Sequence, residues 1–198
     1  VLSALKGQNY HFSNLHENLF LYNPAGITRI EKMAFQAGYR NQWPGNSDFV
    51  NYNAAFIWSA ARLKSSAGLN VIRDIQGEGI IAFTRATLFY GYRTHVSRDL
   101  MFAAGLTASY SDYRTHFSGL TFEGGGIPNT TLNGEFYYGI DFSTGVELIF
   151  RERNQFGLAV TDITAYRTSP AEFKKTSLVL SYSGNYSVTQ RFSRQSIF

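Results

Sequence analysis

The sequence predicts an all-β fold, an antiparallel transmembrane barrel with eight strands visible, and three observations lead there. Apolar and aromatic residues recur at every second position over segments of ten to fifteen residues. The intervening positions are Gly, Ser, Asn, Ala and Thr instead of the Lys and Glu of a wet soluble sheet. The connections between such segments are alternately short and basic, or longer.

The clearest segment is 136–150. Phe136, Tyr138, Ile140, Phe142, Thr144, Val146, Leu148 and Phe150 share one face, and Tyr137, Gly139, Asp141, Ser143, Gly145, Glu147 and Ile149 share the other. In a strand, successive side chains point to opposite sides, so this parity makes one greasy face and one small, polar face. The same split gives strands over about 33–43, 49–61, 100–113 and 175–189, and less cleanly over 67–75, 80–94 and 155–164. Strands of ~5–6 residues suffice for a soluble sandwich, whereas longer ones, tilted by ~35–45°, cross the apolar band of an outer membrane.

Composition agrees. The chain has 198 residues, 44% hydrophobic and 16% aromatic, which argues for an ordered core. The longest apolar runs, 54–58 and 100–104, are far below the ~20 residues of a membrane-spanning helix. A mean hydropathy of −0.18 does not exclude a barrel, because alternation dilutes the average. With no cysteine there is neither a disulfide framework nor a thiolate site. The net charge of +4 is scattered, without a basic block, and we expect no nucleic-acid partner.

The organisation expected is a signal-peptide remnant or ordinary N-terminal turn over 1–8, a periplasmic segment over 9–32, the barrel over 33–190 and a non-barrel tail over 191–198. The short basic connections after strands two, four and six face the periplasm, and the long stretch 114–135 faces outward. Tyr39, Trp43, Tyr52, Trp58, Tyr92, Tyr110, Tyr113 and Tyr166 are expected to form interfacial girdles.

No catalytic, metal or cofactor site is expected. His11 and His16 have the wrong spacing for a helix face or strand face, and His116 near Ser118 lacks a nucleophile elbow. Gly77, Gly79 and Gly124 to Gly126 fit turns better than phosphate cradles. Arg40, Arg85, Arg93, Asp141 and Glu147 fall on the polar faces and are expected inside the barrel, paired as a charge network or lining a small pore.

Three elements in order carry a family resemblance: Tyr10-His11-Phe12-Ser13, then Leu21-Tyr22-Asn23-Pro24-Ala25-Gly26, then Tyr39-Arg40-Asn41-Gln42-Trp43. Together they resemble the opening of the PorP/SprF family of outer-membrane proteins. The likeness continues through Gly68-Leu69, the turn at Gly77 to Gly79 and Leu120-Thr121-Phe122, covering residues 9 to about 189. The resemblance implies a non-enzymatic component of type IX secretion and gliding motility in the bacterial outer membrane. It would support export or surface attachment of secreted proteins such as adhesins. Its partners would be their C-terminal domains, other secretion components and outer-membrane lipid. Asn23, Pro24, Ala25, Tyr39, Arg40, Asn41, Gln42 and Trp43 would then be family-specific positions and candidate partner contacts. Family chains usually carry further strands, so the chain is either an eight-stranded member or the first part of a larger barrel. The alternatives from other classes are a passive outer-membrane porin and a soluble lipocalin-like lipid binder with its apolar face inward.

Overall fold

The computed structural model describes residues 19–42, 49–77, 79–115, 136–151, 153–163, 166–168 and 181–188. The signal-remnant segment, Trp43, the histidines at 11, 16 and 116, most of the long stretch 114–135 and the tail lie outside the described residues.

A short helical turn, α1 (Leu19–Tyr22), and a 3-10 segment (Pro24–Arg29) precede nine strands: β1 (Met33–Gln42), β2 (Phe49–Ala60), β3 (Ser65–Gln76), β4 (Ile81–His95), β5 (Leu100–Thr115), β6 (Phe136–Phe150), β7 (Asn154–Thr161), β8 (Tyr166–Thr168) and β9 (Ser181–Val188). All pairings are antiparallel, in the order β1-β2-β3-β4-β5-β6-β7-β9. The fold is therefore the expected all-β antiparallel sheet with eight strands in its path. Among the described residues the outer edges of β1 and β9 stay unpaired, so the sheet is an open, partial barrel.

β7 and β8 lie against successive stretches of β6. Both pair with β6, but between Thr144↔Val160 and Ile140↔Tyr166 four residue steps on β6 face six from β7 to β8. Just past β7, Asp162 takes φ of 59° and the Ile163 N–H still donates to the Phe142 carbonyl at 3.1 Å. The sequence pattern, which reads 155–164 as one weak strand, had blurred here for this reason.

Parity decides what each face shows. Phe56, Leu69, Leu88 and Phe142 share one register row on the outer face, with Ala108 between the last two, and all four are exposed. Toward the longer connections that face carries Tyr39, Tyr52 and Tyr138, with the Tyr39 and Tyr52 rings 5.3 Å apart. Toward the short turns it carries Trp58, Tyr90 and Tyr92. Along β2, Tyr52 and Trp58 stand six residues apart, about 20 Å, or roughly 15 Å in height after a ~40° tilt, which fits within a ~25 Å apolar band. Tyr113 departs from the girdle expected of it, because it shares the parity of Ser109 and Ser111 and so belongs to the inner face. Trp43 and the Tyr166 side chain lie outside the described residues.

The inner face is the reverse of a lipid binder's. Asn53, Asn70, Thr87, Thr107, Ser109, Asp141, Ser143 and Glu147 are buried there beside a smaller apolar set that includes Ile57, Ile72, Phe89 and Ile149, while most of the large apolar side chains point away. An outward face this large and this apolar is the mark of a membrane or partner surface, not of a soluble barrel.

Short turns hold one end. Lys64 at φ 53° closes the β2–β3 turn and Arg151 at φ 51° begins the β6–β7 turn. Asp99 and Arg151 from neighbouring turns approach to 3.8 Å, both exposed. At the other end Gly77 (φ 60°) and Gly79 (φ 93°) make the β3–β4 turn, with the Ile80 N–H bonded to the Gly77 carbonyl at 2.9 Å. Turn glycine is what the sequence led us to expect there.

Candidate functional site

The pairing registers align a row of small residues across seven strands. Ser59, Ser66, Gly91, Gly105, Gly145, Ala159 and Ser183 are successive cross-strand partners from β2 to β9, all on the inner face. The row makes a trough. Into it fits the segment 23–29, which lies on the inner face and not beyond the end of the strands.

Local chemistry explains why this segment forms a compact turn. Asn23 is the N-cap, its Oδ1 accepting from the Ala25 N–H at 3.0 Å. Pro24 follows at the first helical position, where a missing N–H costs nothing. The Gly26 N–H donates to the Asn23 carbonyl at 2.9 Å, and the Thr28 hydroxyl to the Ala25 carbonyl at 2.9 Å. The segment thus satisfies much of its own polarity before it meets the wall.

Contacts with the wall are of three kinds. Asn23 Nδ2 donates to the Val146 carbonyl at 3.3 Å and to Asn185 Oδ1 at 3.2 Å, while the Ser183 hydroxyl donates to the Tyr22 carbonyl at 3.1 Å. Ile27 is fully buried among Phe20, Ala55, Ile57 and Phe89, where Phe20 and Phe89 meet edge to face at 5.3 Å. Burying a side chain of this size contributes about 1.5–3 kcal/mol. Finally, Arg29 grips Glu147 with two prongs, Nη2 to Oε1 at 2.8 Å and Nε to Oε2 at 3.2 Å. Glu147 has 0% side-chain exposure and Arg29 has 25%, so the carboxylate depends on this partner more than the guanidinium does.

The glycines of the row are there for closeness of approach. A Cβ on Gly105 would fall on the backbone of Pro24 and Ala25, and one on Gly145 would fall on Asn23 Oδ1. On Gly91 it would stand 2.5 Å from Ile27 and 2.7 Å from Thr28. Glycine at these positions lets one backbone lie directly on another.

On the longer-connection side of the segment, the inner face keeps a cavity of about 210 Å³. Asn70, Arg85, Thr87, Ser109, Asp141 and Ser143 line it, and Leu21, Tyr22 and Pro24 contribute to its floor. Asn70 donates to Asn53 Oδ1 at 2.6 Å, and the Thr87 and Ser109 hydroxyls share a bond of 3.0 Å.

A family model for the type IX secretion system membrane protein PorP/SprF matches residues 4–197. The chain belongs to the PorP/SprF family. It is accordingly a membrane component of the type IX secretion system, and the match spans both the seated segment and every strand. No curated protein and no solved structure matches the chain.

In this PorP/SprF chain the sequence-predicted positions divide into two groups. Asn23, Pro24 and Ala25 are buried in the trough, in contact with the protein's own wall. Tyr39, Arg40 and Gln42 are exposed on β1 and Asn41 is half-buried, while Trp43 lies outside the described residues.

The predicted inner charges are dispersed. Asp141 and Glu147 are buried. Arg85 lines the cavity and lies 5.6 Å from the Phe83 ring. Arg93 shares a register row with Glu147, and Arg40 is exposed at the β1 edge. The cation bonded to Glu147 is Arg29, which comes from outside the strands and was not among the expected charges. Its one sequence signal is position, a lone arginine closing the compact Asn-Pro-Ala-Gly turn. That signal acquires meaning only when the turn is known to face a buried carboxylate.

Proposed function

We propose that this PorP/SprF protein is a non-enzymatic barrel of the bacterial outer membrane that supports export or surface attachment of particular secreted proteins, such as gliding adhesins. Its partners are the C-terminal domains of those substrates, other components of the secretion system and outer-membrane lipid. The observation that carries this reading is the outer face, an apolar field bounded by two aromatic levels, on a chain of a type IX secretion family. Tyr39, Arg40, Asn41, Gln42 and Trp43 are the proposed partner contacts, since the described ones sit on β1, whose outer edge is unpaired among the described residues. An edge strand offers unpaired backbone groups to an incoming chain. The roles of Asn23, Pro24 and Ala25 are better supported as internal, because burial leaves them little to offer a partner.

Deletion of the gene in its own cell tests the proposal. The expected result is loss of one or a few secreted proteins from the cell surface while the other outer-membrane proteins stay at their normal abundance. Unchanged surface display across the secreted set would contradict it.

A further inference from the structure

The segment on the inner face has a consequence for what passes through the protein. Pro24 to Thr28 are all buried, they lie across β3 to β6, and their flanks reach β9 through Tyr22 and β2 through Lys32, whose carbonyl accepts from the Ser59 N–H at 2.7 Å. From Tyr22 to Lys32 the chain reaches at most about 26 Å, given ~2 Å per residue in the 3-10 part and ~3.4 Å elsewhere. Six strand spacings from β2 to β9 in a flat sheet measure about 29 Å. With a hydrogen bond added at each end, the segment is just long enough to span the inner face from β2 to β9.

We infer that residues 19–30 are a seated stopper, latched by Arg29 and Glu147, which closes the interior at the short-turn end and leaves a blind cup facing the longer connections. This rests on the outer-membrane barrel proposed above. Three independent features support it. The small-residue row is shaped for the backbone of this one segment, since added carbons at Gly91, Gly105 and Gly145 would meet it. Asn23 spends its amide on two strands, β6 and β9. Glu147, wholly buried, is bonded to the segment's own arginine, so unseating the segment would strand the carboxylate. The cavity above it, about 210 Å³, ends on Leu21, Tyr22 and Pro24, so its floor is the stopper itself. A protein built this way does not act as a conduit for small solutes.

The chain contains no cysteine, so single thiols can be read without background. Thr28→Cys in the full chain, in detergent micelles, is treated with a charged maleimide and compared with Lys64→Cys in the exposed short turn. The inference expects Thr28→Cys to label far more slowly than Lys64→Cys, and to lose that protection when Glu147→Gln is added. Equal labelling of the two thiols in the otherwise native chain would overturn the stopper. Protection that persists in a folded Glu147→Gln protein would overturn the latch. If Glu147→Gln does not fold, Arg29→Lys keeps the charge but not the two-pronged grip, and must show the faster labelling instead. In proteoliposomes the native chain should add no swelling in arabinose above empty vesicles. Swelling with Thr28→Cys still protected would overturn closure. Failure to float with the vesicles would count against the membrane placement alone, because the thiol comparison is made in micelles.

Discussion

Arg29→Ala should destabilise the protein by about 3–5 kcal/mol, the cost of leaving one member of a buried ion pair without the other. The physical reason is asymmetric. Glu147 has no exposure to water, and removal of Arg29 takes away two charge-assisted hydrogen bonds at 2.8 and 3.2 Å together with the compensating charge. Arg29 is a quarter exposed, so Glu147→Gln leaves a cation that can turn toward solvent and should cost clearly less. Replacing both residues by apolar ones of similar length should recover much of the loss, since the desolvation penalty then disappears with the pair. Urea unfolding of the detergent-solubilised chain, followed by its heat-modifiable migration, measures all three variants. Equal and small effects of Arg29→Ala and Glu147→Gln would contradict the account.

Gly105→Val should be nearly as damaging. Overpacking in a filled interior costs about 1–3 kcal/mol and occasionally more. Here the upper part of that range applies, because the atoms in the way belong to the backbone of Pro24 and Ala25 and not to the end of a flexible side chain. Either the segment leaves the trough or β5 distorts. The control is Gly38→Val on β1, where an added Cβ finds Asn53 at 3.8 Å, an ordinary contact. A β-branched residue suits an exposed strand position, so this change should lie within about 0.5 kcal/mol of wild type. Similar urea midpoints for Gly105→Val and Gly38→Val would mean that the trough is not filled as described.

The strands were legible in the sequence because parity is a local signal. Phe142 next to Ser143, or Leu106 next to Thr107, assigns faces without any knowledge of what lies across the sheet. The break after β7 was not legible, since Asp162 leaves the extended conformation and two extra residues against β6 interrupt the alternation without changing its parity. Tyr113 shows the opposite error, in which residue type suggested a girdle although its parity already placed it with Ser111.

The trough was hidden for a deeper reason. Ser59, Ser66, Gly91, Gly105, Gly145, Ala159 and Ser183 have irregular spacings along the chain, set by the lengths of strands and connections, and they become a row only through the pairing register. The turn from Asn23 to Arg29 could be read as a cap followed by proline, but nothing in seven residues says which surface receives it. Glu147 was recognisable as an inner-face charge that needed a partner. Strand periodicity could offer only strand arginines for that role, and the partner came from the segment before β1.

The central claim is that one face of this sheet meets lipid while the other meets the chain's own segment. Nitroxide labels at Phe142→Cys and Ser143→Cys, placed in lipid vesicles, test it most directly through their accessibility to oxygen dissolved in the acyl chains. The account predicts a high oxygen response at 142, where the side chain is exposed on the outer face, and a low one at 143, which is buried on the inner face. Equal responses at the two positions, or a stronger one at 143, would contradict it.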